Sequence, residues 1–195
     1  MRKIGWWVSS NKQPYHERGW SARSRELNDI EAMYFDTNET QAFVAIVTSI
    51  PLDKVMSDLA ISFGDNLATG AHSYECGIVL GGENKGTVYL NPEWSDTDRF
   101  KDSGPYRITG GTVIGTANVE YQDQRIFDFD STNWVIELSV PQSVFEDFDR
   151  LTELHVTLYC GNDIVEVTPA CHTPTPTPQT KEWAIARPSS SQNGT

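Results

Sequence analysis

Short segments that alternate apolar and polar side chains recur along most of this chain, and residues typical of turns follow each of them. This two-residue period is the signature of a half-buried β-strand. A single helical turn is predicted over residues 142–148, directly after Pro141. Strands at this spacing, without interleaved helices, are typical of sandwiches and barrels. The sequence therefore predicts an all-β fold, an antiparallel β-sandwich of jelly-roll type with about eight or nine strands.

Two segments carry more specific predictions. Residues 42–47, "AFVAIV", are apolar on both faces, so they predict a strand in the middle of a sheet that is covered on both sides. Residues 106–122 are long enough for an extended strand, but Gly110 and Gly111 interrupt them. Paired glycines inside a strand predict a bend or a β-bulge.

The composition of the chain changes sharply near residue 170, and the tract "TPTPTPQT" begins shortly after that point. Alternating Thr and Pro favour the extended polyproline II conformation and cannot join a central strand. We therefore expect a β-sandwich domain over residues 1–170, with an edge segment at its N-terminal end. Residues 171–195 are predicted to be a Thr/Pro-rich linker and tail, of the kind found in O-glycosylated stalks.

The chain is strongly acidic, with 27 acidic and 15 basic residues among 195 and a formal net charge of -12. This charge repels nucleic acid and anionic membrane surfaces, so neither is expected as a partner. No apolar run is long enough for membrane insertion, and this numbering contains no signal peptide. Cations, neutral glycans and other proteins remain the expected partners.

Three cysteines, Cys76, Cys160 and Cys171, lack the spacing of a zinc or redox motif. Cys76 lies within a predicted strand, where a small core residue is the ordinary explanation. A disulfide between Cys160 and Cys171 is predicted if the chain after Thr168 folds back, and unpaired thiols are the alternative.

Oxygen donors lie at two places that a sandwich can bring together. Asp29 and Glu31 are two residues apart at the start of the first strand, and Asn162 and Asp163 follow the last strong strand. Carboxylate and amide oxygens are the ligands that Ca²⁺ prefers, so these four residues are the candidate calcium site. The alternative is a solvated strand end and a polar turn without a metal.

Motifs of enzymes are missing from the sequence: it has no GxSxG, HExxH, P-loop or GxGxxG pattern. The histidines are scattered, and His155 on a strand is more typical of a satisfied core or surface residue. Glu120 and Glu137 lie on neighbouring long strands and can face each other as glycosidase carboxylates do. An exposed strand face explains them equally, and we predict that the protein is not an enzyme.

Aromatic residues border the long polar loop between residues 95 and 105. Trp94 and Tyr106 are the candidate ligand-binding residues, because a flat aromatic ring can stack on the face of a sugar. The alternative for Trp94 is that its indole covers the core.

Several segments together resemble a known family: "NDIEAMYFDTNETQAFVAIVTSIP" near the start, "WVIELSVPQSVF" later, and "LHVTLYCGNDIVEV" before the Pro-rich tract. They resemble the extracellular β-sandwich of PEP-CTERM-type bacterial surface proteins, which are anchored through a sorting signal. The order of elements is more distantly similar to carbohydrate-binding module family 9 and DOMON-like sandwiches. The resemblance covers roughly residues 25–168 and rests on two points, the "DIEA" hairpin and the "CGND" strand end. It implies a structural cation at Asp29, Glu31, Asn162 and Asp163.

The chain departs from that pattern in one respect, because no PEP motif or hydrophobic anchor follows the "TPTPTP" tract. The combined reading predicts a non-catalytic extracellular module for the cell surface or for adhesion, stabilised by Ca²⁺ and able to bind a glycan or a neighbouring surface protein. The alternative is a structural subunit that forms homo-oligomers, filaments or a surface layer. In that case "KEWAIA" or "KIGWWVSS" adds as a strand to a neighbouring copy.

Overall fold

Two antiparallel β-sheets make up the computed structural model, which describes residues 29–50, 56–64, 74–124, 133–161 and 163–169, without the side chains of residues 123 and 124. The strands in chain order are β1 (Ile30–Thr37), β2 (Gln41–Thr48), β3 (Leu59–Ser62), β4 (Cys76–Ile78), β5 (Thr87–Trp94), β6 (Ile108–Thr116), β7 (Asn118–Gln124), β8 (Asn133–Pro141), β9 (Glu153–Thr157) and β10 (Ile164–Val167). The remaining elements are the 3₁₀ turns Lys101–Ser103, Gln142–Val144 and Phe148–Arg150. Within the described ranges, no helix has the length and apolar character needed to cross a membrane.

The all-β antiparallel sandwich predicted from the sequence is confirmed. One sheet has four strands in the order β1-β2-β8-β7, and the other has six in the order β10-β9-β3-β4-β5-β6. Ten strands are present in the described residues rather than eight or nine. The predicted strand over 106–122 divides at Ala117, where the chain passes from one sheet to the other, and β10 was not predicted.

The core lies between the two sheets, and the alternation along each strand decides which side chains reach it. Side chains with essentially no exposure include Met33 and Ile46 from the four-stranded sheet and Leu59, Val88 and Val156 from the six-stranded sheet. Each large apolar side chain buried in this way contributes about 1.5–3 kcal/mol. Every second residue of the same strands therefore points outward, and those outward positions form the two outer faces of the sandwich.

The prediction for β2 is partly confirmed. The strand lies between β1 and β8, so it is in the middle of its sheet as predicted. Its outward side chains are not covered, however, because Phe43 is 38% exposed and Ala45 is only partly buried. The two-sided apolar run therefore gives this sheet an outer face with partly exposed apolar side chains, rather than marking a strand with protein on both sides.

An irregularity is present where the paired glycines predict one, but the extra residue of this bulge lies on the partner strand β5, opposite Gly111. Thr112 pairs with Leu90 and Gly110 pairs with Glu93, so Gly111 alone faces two residues of β5. Gly111 has a φ of 132°, and a Cβ at this position would lie 2.9 Å from the Cα of Pro92. Only glycine fits this conformation, and the bulge bends the β5–β6 hairpin.

A buried carboxylate ties this hairpin to the middle of the six-stranded sheet. Asp58 is 2% exposed, and its two oxygens accept hydrogen bonds from the backbone N–H groups of Leu80 at 3.0 Å and Ile108 at 2.9 Å. Its own N–H donates to the Tyr106 carbonyl at 2.9 Å. Burial raises the pKa of Asp58, although the two hydrogen bonds and the Arg107 charge act in the opposite direction.

Several sequence predictions lie outside the described residues. These include the N-terminal edge segment, the linker and tail over 171–195, and both terminal segments proposed for strand addition. The domain boundary near residue 170 and the filament alternative therefore stay predictions.

Candidate functional site

The predicted calcium ligands lie where the first and last strands of the sandwich meet. Asp163, just before β10, accepts a hydrogen bond through Oδ2 from the backbone N–H of Ile30 in β1, at 2.5 Å. Asp29 is 9% exposed and directly precedes Ile30, whereas Glu31 is exposed. Asn162 lies outside the described residues. The structure therefore brings Asp163 to the strand that begins after Asp29, and the calcium site itself stays a prediction.

The predicted ligand-binding residue Trp94 is half-buried at the end of β5. Its indole lies against Gly77 of β4, since a Cβ added there would come within 2.7 Å of the ring carbon Cη2. The indole Nε1 is buried and has no hydrogen-bond partner in the described part of the chain. Trp94 therefore covers the outer face of the six-stranded sheet instead of the core between the sheets.

Tyr106, the second predicted ligand-binding residue, is 8% exposed. Its ring centroid lies 5.1 Å from that of Tyr159, and the Arg107 guanidinium carbon lies 5.4 Å from the Tyr106 centroid. The ring is thus packed against protein groups and offers little free surface for stacking on a sugar.

The cysteine predictions have a mixed outcome. Cys76 is 3% exposed and belongs to the core, as predicted. Burial, with a smaller contribution from Glu75, raises the pKa of its thiol to about 12. Cys160 is half-buried, and Cys171 lies outside the described residues, so the predicted bridge between them also falls outside what the structure describes.

A groove on the outer face of the four-stranded sheet has the geometry of a binding site. Its volume is about 420 Å³, within the range of small-molecule sites. Two rows of outward side chains cross the four strands here. One row consists of Tyr34, Ala45, Glu137 and Glu120, and the other consists of Asp36, Phe43, Ser139 and Asn118.

The shape of the groove follows from the sizes of these side chains. Ala45 and Ser139 are small and occupy the two central strands, so they form the floor. Tyr34 and Phe43 lie on adjacent strands, diagonally across from each other, and their rings form an apolar wall. On the opposite side, Glu120 and Glu137 supply carboxylates. The groove therefore pairs an aromatic wall with an acidic one.

The two glutamates face each other directly across β7 and β8, as the sequence suggested. Like charges in this position repel, and the structure compensates with amide donors. Gln122 Nε2 donates to Glu137 Oε2 at 2.6 Å, and Asn118 Nδ2 donates to Glu120 Oε1 at 3.2 Å. Both carboxylates are thereby held in defined orientations while their remaining lone pairs stay available to a ligand.

Sequence reasoning missed Tyr34, Asp36 and Phe43 as site residues. The signal was present in the two-residue period, because Tyr34 and Asp36 share one face of β1 and Phe43 shares the corresponding face of β2. That signal was overlooked because "AFVAIV" was expected to be covered on both sides.

A separate group of ligand-type side chains lies on the six-stranded sheet. Glu153, His155 and Glu166 bring one ligand atom each to within 4.8 Å of one another. His155 was expected to be a satisfied core or surface residue. It is buried, and the prediction is met in part: its Nδ1 lies in hydrogen-bond contact with Glu166 Oε1 at 3.2 Å, whereas its Nε2 has no hydrogen-bond partner in the described ranges.

The chain matches no protein-family model, and comparisons with curated proteins and with solved structures found no similar protein. The resemblance to PEP-CTERM-type surface sandwiches and to family 9 carbohydrate-binding modules therefore stays a prediction.

Proposed function

We propose that this protein is a non-catalytic glycan-binding module and that the groove on the four-stranded sheet holds the sugar. The observation that carries the proposal is the pairing of exposed aromatic rings with oriented carboxylates around a floor of small residues. As predicted from the sequence, we place the module outside the cell, at a surface or in adhesion.

The aromatic wall supplies the apolar part of recognition. A pyranose ring presents a face of C–H groups, and burying that face against an aromatic ring removes apolar surface from water. Phe43 is 38% exposed and Tyr34 is partly exposed, so both rings have surface available for such contact. Burying this surface under a sugar is the main source of affinity in the proposal.

The acidic wall supplies orientation. Sugar hydroxyls are hydrogen-bond donors, and carboxylates held by neighbouring amides accept from them in fixed directions. Glu120, Glu137 and Asp36 all line the groove, together with the Asn118 amide. The groove is lined by three carboxylates, and the whole chain has a net charge of -12. Both repel sulfated and other polyanionic glycans. The expected ligand is therefore a neutral or cationic sugar.

Binding without turnover fits the open form of the site. Glycoside hydrolysis requires carboxyl groups that flank the scissile bond from positions fixed around it. Glu120 and Glu137 are cross-strand neighbours that leave the sheet on the same face and line one wall of the groove, so they do not flank a ligand from opposite sides. We therefore propose that they hold the sugar and do not cleave it.

Replacing Phe43 by alanine is expected to weaken glycan binding at least tenfold, because the groove loses half of its aromatic wall. Neutral, amino-sugar and sulfated oligosaccharides on an array identify the ligand, and calorimetry with the best neutral or amino-sugar oligosaccharide gives the affinity. Tyr34→Ala is expected to act in the same direction.

Phe100→Ala is the matched control, since Phe100 has the same exposed fraction of 38% but lies outside the groove. Its affinity should equal that of the unmodified protein. Equal losses for Phe43→Ala and Phe100→Ala would place the sugar elsewhere. If the unmodified protein released reducing sugar from the oligosaccharide and Glu120→Gln or Glu137→Gln did not, the non-catalytic assignment would be wrong.

Calcium at the junction of β1 and β10 remains part of the proposal. Its support is the approach of Asp163 to the strand that follows Asp29, which brings oxygen donors from the two ends of the sandwich into one region. A cation there would offset repulsion between carboxylates and link the last strand to the first.

Added Ca²⁺ is expected to raise the melting temperature of the unmodified protein, because a ligand that binds only the folded state stabilises it by mass action. Asp163→Asn should lose this increase, whereas Asp102→Asn, at an exposed position in the 3₁₀ turn Lys101–Ser103, should keep it. Thermal unfolding with and without millimolar Ca²⁺ measures both. If Ca²⁺ raised the melting temperature of Asp163→Asn as much as that of the unmodified protein, calcium would not bind at this junction.

A further inference from the structure

From the outer face of the six-stranded sheet, we infer a second ligand site that is independent of the groove: Glu153, His155 and Glu166 bind a divalent cation of the zinc class. Their ligand atoms all lie within 4.8 Å of one another. The site lies on β9 and β10 of the six-stranded sheet, whereas the proposed sugar groove lies on the four-stranded sheet.

The pairing of β9 and β10 places these three side chains together. His155 and Glu166 are direct cross-strand partners, so their side chains leave the sheet on the same face. Glu153 precedes His155 by two residues on β9 and therefore points to that face as well. Adjacent strands hold two of the ligands in register, and the third follows along the same strand, so little ordering is required when a cation binds.

The distances suit a small cation. His155 Nδ1 lies 3.2 Å from Glu166 Oε1. Two ligand atoms that each lie 2.0–2.1 Å from a tetrahedral zinc ion are separated from each other by about 3.3 Å. This pair is therefore already spaced as two ligands of one zinc ion, and Glu153 reaches the ion with a small rotation of its side chain from within 4.8 Å.

Burial makes the imidazole a strong part of the site. His155 is 2% exposed, and its Nε2 has no hydrogen-bond partner among the described residues. A buried nitrogen without a partner costs free energy, and the contact of Nδ1 with Glu166 Oε1 leaves Nε2 unsatisfied. Nδ1 faces Glu166 and is the nitrogen that coordinates the cation in this inference, so coordination replaces its present contact with the Glu166 carboxylate.

Neighbouring groups orient the ligands. The Tyr74 hydroxyl donates to Glu153 Oε1 at 2.5 Å, and the Tyr74 ring lies 5.3 Å from the His155 ring, centroid to centroid. Such outer contacts fix the positions of metal-binding side chains in proteins. Glu153 keeps its second oxygen for the cation.

The ligand types select the metal. An imidazole nitrogen with two carboxylates is suited to Zn²⁺ and its neighbours in the transition series, whereas Ca²⁺ takes oxygen ligands in greater number. Three protein ligands leave one position of a tetrahedral ion to water, since Glu153 and Glu166 are both partly exposed.

Calorimetric titration of the purified protein with ZnCl₂ tests the inference, with CaCl₂ titrated in parallel. The unmodified protein is expected to bind one zinc ion that is not displaced by excess Ca²⁺. His155→Asn should lose this one equivalent, and Glu166→Gln should weaken it at least tenfold. Glu83→Gln, at an exposed position in the β4–β5 turn, should bind zinc as the unmodified protein does.

Co²⁺ in place of Zn²⁺ adds a readout of geometry, because tetrahedral cobalt absorbs visible light strongly. The absorption should be present in Glu83→Gln and reduced in Glu166→Gln, whose side chain is partly exposed, so that misfolding is a minor concern. Circular dichroism verifies that His155→Asn is folded. Zinc binding of equal stoichiometry and affinity in Glu166→Gln and the unmodified protein would overturn the inference, and so would the absence of any zinc binding.

Discussion

Replacing Asp58 by alanine is expected to lower the free energy of unfolding by about 3 kcal/mol, because two buried backbone donors lose their acceptor. Those donors are the N–H groups of Leu80 and Ile108, at 3.0 and 2.9 Å from the carboxylate oxygens. Each unsatisfied buried donor costs about 1–3 kcal/mol, and relief of the desolvated carboxylate offsets part of the sum. Urea denaturation followed by tryptophan fluorescence measures the change.

Asp102→Ala is the matched control for this substitution, since Asp102 is exposed on the 3₁₀ turn Lys101–Ser103. Exposed substitutions of this kind usually change stability by less than about 0.5 kcal/mol. If Asp58→Ala and Asp102→Ala had the same midpoint in urea, the carboxylate would not be holding the β5–β6 hairpin to the sheet.

Replacing Gly86 by alanine is expected to cost about 3 kcal/mol, through backbone strain and a steric clash together. Gly86 has a φ of 87°, and a Cβ there would lie 2.4 Å from the Ala117 carbonyl oxygen. That approach is fixed, because the Ala117 N–H donates to the Gly86 carbonyl at 2.7 Å and the Gly86 N–H donates to Val79 at 2.8 Å. The melting temperature and the urea midpoint should both fall.

A substitution at Gly82, in the same turn, distinguishes the cost of backbone strain from the cost of the steric clash. The φ of Gly82 is 78°, but a Cβ there would have nothing within 4 Å. Gly82→Ala should therefore show the backbone cost alone, about 1 kcal/mol. Equal losses at the two glycines would mean that the contact between Gly86 and Ala117 does not constrain the passage from β6 to β7.

The fold was largely predictable because alternation and turn residues are local signals. The pattern around "AFVAIV" predicted that β2 lies in the middle of a sheet, and the glycine pair predicted a break in the ladder that the structure has opposite Gly111. The division of 106–122 at Ala117 was not predictable, since it depends on which sheet each half joins. That choice is made by long-range pairing with β5 and β8, which no local pattern encodes.

The candidate sites were predictable only in part, for the same reason. The sequence allowed Glu120 and Glu137 to face each other, with an exposed strand face as the alternative, and in the structure they are direct partners on neighbouring strands. Predicting the aromatic wall requires the register of β1 against β2, which places Tyr34 opposite Ala45 and Asp36 opposite Phe43.

Predicting the cluster of Glu153, His155 and Glu166 requires β10, a four-residue strand that was not predicted from the sequence. Trp94 shows the converse case. Its place beside a polar loop suggested a sugar platform, but its indole packs against Gly77 of the neighbouring strand β4. The local sequence thus identified aromatic and acidic residues, whereas strand pairing decided which of them share a surface.

The two outer faces make separable predictions. The proposed sugar groove belongs to the four-stranded sheet, whereas the proposed zinc site belongs to the six-stranded sheet. Phe43→Ala should therefore leave zinc binding unchanged, and Glu166→Gln should leave glycan binding unchanged. The failure of one proposal does not decide the other.

Mapping the bound sugar by nuclear magnetic resonance tests the central claim most directly. Backbone amide shifts of the labelled protein are followed while the best-binding oligosaccharide from the array is added. We predict saturable shifts grouped on β1, β2, β8 and β7, around Tyr34, Phe43, Glu120 and Glu137. Shifts grouped around Trp94 on the six-stranded sheet, or no saturable shift with any neutral or amino-sugar glycan, would contradict it.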